Sequence, residues 1–149
     1  MTNYIETRIK YDKTHPNGVT KKTTEKFLVD AMSFTEAEAR IVREITPYIS
    51  GEFDVSAVKK SRIAEIVRDD AGDKWYRCKI AFITVDERTA TEKRKMSLML
   101  VQAGDISSAL ANTKKAMSGT ISDYEITEIS ETAILDVYDA ATTTTDGQE

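Results

Sequence analysis

The chain has 149 residues, 40% hydrophobic and 31% charged, with a formal net charge of −4; this composition excludes a disordered chain. The acidic balance argues against a dedicated duplex-DNA binder, which needs a strongly basic face. No apolar run of about 18 residues is present to span a membrane, no apolar leader follows the polar start, and the single cysteine, Cys78, cannot form an internal disulfide, so a cytoplasmic protein is expected.

In chain order, Glu6 to Lys13 alternates apolar and polar residues around Ile9 and Tyr11, the period of a half-buried strand. His15-Pro16-Asn17-Gly18 is a turn, because Pro presets φ and Asn-Gly tolerates positive φ. Lys22 to Ala31 is the return strand. Ser33-Phe34-Thr35-Glu36 is a capping box, and Ala37, Ile41 and Ile45 follow it at helical spacing. Pro47 and Gly51 bracket the helix end. In the next strand Phe53, Val55 and Ala57 share one parity while Val58 falls on the other. Either a β-bulge or two short strands separated by a turn would give this break.

The same order then recurs. Arg8-Ile9-Lys10-Tyr11 matches Lys79-Ile80-Ala81-Phe82 at an offset of 71 residues, and Leu28-Val29-Asp30-Ala31 matches Leu100-Val101-Gln102-Ala103 at an offset of 72. Asp105 takes the place of Ser33 as N-cap, and Phe53 and Val55 match Tyr124 and Ile126. The expected fold is α+β: a tandem duplication of a strand-strand-helix-strand (ββαβ) unit, giving six main strands in antiparallel sheets with two helices packed on them. A right-handed crossover predicts strand order 2-1-3 within each unit. The two units either share one sheet or stack their apolar faces. Residues 1–140 then form a single domain of two pseudo-symmetric repeats, 4–68 and 75–139, followed by a mobile polar tail at 141–149.

The segments FLVDAMSFTEAEARIVREITPYISGEFDVSAVKKS, WYRCKIAFITVDERTATEKRKMSLMLVQAGDI and SDYEITEISETAILDV resemble domain-of-unknown-function family 4494. The resemblance covers about residues 4 to 138, and Leu28 to Gly51 is its most specific stretch. It implies a short cytoplasmic protein of gut anaerobes and their phages, and it brings no catalytic residues with it.

The side chains that carry chemistry are few. His15 is the only histidine and lies in a turn, so a nucleophile-base pair with Cys78 is not expected, and Cys78 reads as a buried strand thiol. Two Cys/His residues cannot make a zinc site. The run Arg68-Asp69-Asp70-Ala71-Gly72-Asp73 reads as an acidic turn that lacks the spacing of a calcium loop. No Gly-rich phosphate loop is present. The expectation is therefore a protein without enzymatic activity, cofactor or metal.

Basic residues are the best surface candidates. Lys21 and Lys22 match Lys93, Arg94 and Lys95 at an offset of 72, and Arg8 and Lys10 match the strand positions around Arg77 and Lys79. Lys59, Lys60 and Arg62 lie on the first unit's third strand, and Trp75 and Tyr76 lie close in sequence to Arg77. Such residues suit either a solvated strand edge guarded by lysine or a single-strand binder that holds backbone on cations and stacks bases on aromatic platforms. The expected function is a binding or accessory module without catalysis. Its partner is a protein or a second copy, and the alternative is a single-stranded nucleic acid.

Overall fold

Alternating apolar residues build the strands, and two capped amphipathic stretches build the helices. The computed structural model describes residues 3–139; the expected mobile tail lies outside the described residues. The element order is β1 (Tyr4–Thr14), β2 (Thr20–Asp30), α1 (Phe34–Ile45), β3 (Phe53–Lys60), β4 (Ile63–Val67), β5 (Lys74–Asp86), β6 (Thr91–Ala103), α2 (Ile106–Ala116), β7 (Asp123–Glu131) and β8 (Ile134–Tyr138). The α+β class is as expected. The six expected strands become eight, in two sheets ordered β3-β1-β2-β8 and β4-β6-β5-β7.

These sheets anchor two compact units. One holds the described residues up to Ser61 and from Ala133 onward, and the other is Arg62–Thr132. The boundaries expected from the sequence, 4–68 and 75–139, therefore cut across the units at β4 and β8. The chain leaves the first unit after β3, builds the second, and returns to add β8. Sequence rules favour pairing between consecutive strands, and here each short terminal strand pairs with a partner far along the chain instead.

In the first unit β1 and β2 pair from Tyr4↔Asp30 to Thr14↔Thr20. Their turn is closed by the Gly18 N–H donating to the His15 carbonyl at 2.8 Å and the Val19 N–H donating to Asn17 Oδ1 at 3.0 Å. Gly18 has φ +86°, a left-handed conformation that favours glycine. β3 runs antiparallel beside β1, which gives the expected 2-1-3 order. Arg8 faces Ala57 while Ile9 faces Val55, so Ser56 is an extra, bulged residue. The bulge keeps Val55 and Val58 both against the core although their parity differs. Both readings of the parity break thus apply: a bulge at Ser56 and a strand break at Ser61.

Helix α1 begins where Ser33 Oγ accepts the Glu36 N–H at 3.0 Å, and the Glu36 carboxylate accepts the Met32 N–H at 3.3 Å. Its Ala37, Ile41 and Ile45 pack on Ile5, Ile9, Phe27 and Val29. β8 adds parallel to β2, stacking Tyr138 on Phe27 with ring centroids 5.9 Å apart. Arg40 on α1 donates to the Asp139 carbonyl beyond it.

The second unit repeats these moves. β5 and β6 pair from Lys74↔Ala103 to Asp86↔Thr91, and β7 lies antiparallel to β5. The β5·β7 ladder shifts between Lys79 and Ile80, leaving Thr127 as the extra residue. Asp105 caps α2 by accepting the Ser108 N–H at 2.7 Å. Cys78, Ile80, Met99, Val101 and Met117 form the core beneath it. β4 joins parallel to β6, opposite Leu98 to Val101 only. The acidic turn after β4 is held by Asn112 Nδ2, which donates to Asp69 Oδ2 at 2.9 Å and to the Gln102 carbonyl at 3.0 Å.

Candidate binding surfaces

Lys21 and Lys22 are exposed at the start of β2, where they face Lys13 and Asp12 across the ladder. The like-charged Lys13↔Lys21 pair is relieved by Glu25, whose carboxylate lies 3.5 Å from Lys13 Nζ. Burial, then the neighbouring Glu25, pushes the Tyr11 phenol up.

A denser cluster lies on the same sheet. Arg8 and Lys26 are direct cross-strand partners, another like-charge pair. Glu6 Oε2 takes contacts from Arg8 at 3.3 Å, Lys59 at 3.7 Å and Lys26 at 4.0 Å. Three cations around one carboxylate leave a local positive excess. Arg8 and Lys59 stood out in the sequence, but Glu6 and Lys26 did not. The cluster depends on the β1·β2·β3 register, which composition alone does not disclose.

In the second unit Lys93, Arg94 and Lys95 are exposed on β6. Arg94 is committed to carboxylates: Glu125 lies 2.6 Å away and Glu92 3.7 Å, and the Glu125 hydrogen bond holds the guanidinium still more firmly protonated. Lys79 pairs with Glu128 at 3.4 Å, while Arg77 is exposed. Lys93 and Lys95 have no carboxylate partner among the described residues. Beside them runs a groove of about 790 Å³ lined by Arg62, Lys79, Phe82, Lys95, Met96 and Leu98, among others.

The aromatic part of the expected nucleic-acid surface is corrected. Trp75 and Tyr76 are each only 2% exposed, so neither presents a free face on which a base can stack. Tyr76 shares strand parity with the core residues Cys78 and Ile80. Trp75 shares the parity of Arg77 and Lys79, yet that face is not uniformly solvated, since Leu100 opposite Arg77 is fully buried.

Other reactive groups are held structurally. Cys78 is fully buried with its Sγ 3.1 Å from Thr113 Oγ1, and burial pushes its thiol up. Asp69 is held below the usual carboxylate range, first by its bond from Asn112 and then by the Ala71 N–H. His15 lines a shallow surface depression at the β1–β2 turn. Among the described residues no group of three or more His, Cys, Asp or Glu is placed to hold a metal ion. No helix among them is long and apolar enough to cross a membrane.

No curated protein and no solved structure matches the chain. The model of the domain of unknown function DUF4494 matches residues 3–140. The chain thus belongs to the DUF4494 family.

Proposed function

We propose that the protein is a binding module without catalytic activity, and that it holds an anionic partner, most simply another protein, on basic strand edges. One observation carries this reading. Both long hairpins overrun the neighbour on their β2 or β6 side. β8 covers β2 only from Lys26 onward, and β4 covers β6 only from Leu98 onward. The overhangs carry Lys21 and Lys22 on one hairpin and Lys93, Arg94 and Lys95 on the other. An edge with free N–H and C=O groups and surplus positive charge is a template for an extended anionic chain.

We also infer that the chain is a tandem duplication. In support, the β1·β3 and β5·β7 ladders shift at Arg8/Ile9 and Lys79/Ile80, the positions aligned at an offset of 71 in the sequence. The two sheets also have the same strand order once β4 and β8 are counted with the sheets that hold them.

The test is fluorescence anisotropy of labelled poly-glutamate and labelled oligo(dT) with the full chain, alongside sedimentation velocity. Poly-glutamate is expected to bind at low salt and to weaken steeply toward physiological salt, as screening predicts. Preferential binding of oligo(dT) would replace the protein partner with a single-stranded nucleic acid. Binding to neither at micromolar protein, with a monomeric sedimentation profile, would overturn the reading.

A further inference from the structure

Strand β6 offers its outer edge over Thr91–Ser97. β5 pairs with its inner edge along the whole length, whereas β4 reaches only from Leu98 on. Among the described residues, no backbone hydrogen bond outside the ladders involves these seven. An extended strand exposes N–H and C=O groups along such an edge, about 3.3 Å per residue.

The groove at this edge has mixed walls. Met96 and Leu98 pair with Ala81 and Lys79 on one face of the sheet, while Lys95 pairs with Phe82 on the other. Its lining draws on Ala64 of β4, Lys95 to Leu98 of β6 and Lys79 and Phe82 of β5, so it adjoins the stretch of β6 that β4 leaves uncovered, with Arg62, just before β4, also lining it. Met96 is 48% exposed. Arg62, Lys93 and Lys95 carry no ion pair among the described residues, in contrast to Arg94 and Lys79.

We infer that this edge receives an acidic extended peptide as an added β-strand, a deepening of the binding-module reading on which it rests. The charges select the occupant. Lysines on an edge repel the same edge of another copy, and this disfavours pairing β6 to β6. The same lysines attract a strand that carries carboxylates. Lys93 and Lys95 share one face, and Met96 and Leu98 share the other. The matching peptide therefore alternates acidic residues toward the lysines with apolar residues toward Met96 and Leu98. Main-chain bonds would supply affinity and the alternating side chains specificity.

The experiment uses the full chain and a labelled ten-residue peptide alternating glutamate with valine. A lysine-valine peptide serves as control. Two further peptides carry N-methyl groups on alternate amides, each blocking one edge of the strand. The glutamate peptide is expected to bind and the lysine peptide not to bind. The double variant Lys93→Glu, Lys95→Glu, with circular dichroism unchanged, is expected to bind at least tenfold more weakly. One N-methylated peptide should lose binding while the other keeps it. Equal binding of both N-methylated peptides would overturn strand addition and leave the wider reading standing. Undiminished binding by the double variant would place the site elsewhere on the module. Failure of the glutamate peptide, with poly-glutamate still bound, would likewise remove this edge alone; failure of both acidic probes would remove the wider reading too.

Discussion

Cys78 illustrates how little of this chain's reactive chemistry faces solvent. Its sulfur lies on the core side of β5 under α2, and Thr113 Oγ1 bonds to the Ala109 carbonyl at 2.7 Å while touching the thiol. Burial favours the neutral thiol, and the thiolate is the reactive species. Ellman's reagent should therefore modify the native protein at least about a hundredfold more slowly than the protein in concentrated guanidinium, because reaction requires local opening. Comparable rates in the two conditions would show that the thiol is accessible. The thiol's burial was legible from the alternation Tyr76-Cys78-Ile80 against Arg77-Lys79. The same alternation should have placed Tyr76 in the core. Trp75 was not legible this way, because its parity is that of the cations, and only the three-dimensional structure shows where that face is covered.

At the scale of elements, local signals carried furthest. The capping residues Ser33 and Asp105 were readable because an N-cap oxygen acts within three residues of itself. The 2-1-3 order followed from crossover handedness. The places of β4 and β8 were not readable: each is a five-residue strand, and its partner is chosen by tertiary packing, which leaves no local pattern. The connection after β4 has its own requirement. A Cβ on Gly72 would lie 2.4 Å from the Ala103 carbonyl carbon and Cα. Backbone atoms cannot rotate aside as a flexible side chain would, so Gly72→Ala forces β6 or the acidic turn to move. Its expected cost is about 3 kcal/mol, the upper part of the usual range for overpacking. Urea melts check this. A change below about 0.5 kcal/mol, the scale of an ordinary surface substitution, would mean that the turn does not press on β6.

On the scale of the whole molecule, β8 rejoins the first unit after the whole of the second unit has intervened in the chain. Tyr138 fastens it. Its ring stacks on Phe27, and its phenol is pushed up to about 12, first by burial and then by Asp136, Glu44 and Tyr48. In the unfolded chain a tyrosine titrates near 10. Below pH 10 the phenol is protonated in both states, so its contribution to stability is fully present there. Between about 10 and about 12 the unfolded chain releases this proton first and binds fewer protons than the fold, so stability falls as pH rises. Tyr11, also raised, acts with the same sign. Tyr138→Phe keeps the stacked ring and removes one of these titrations. Its stability relative to the natural chain should therefore stay level up to about pH 10 and improve from there to about pH 11.5, measured by urea melts at fixed salt, with Tyr11 leaving a residual slope. Parallel profiles for the two proteins would show that the phenol ionises as freely in the fold as outside it, and that β8 is not packed over Phe27 in solution.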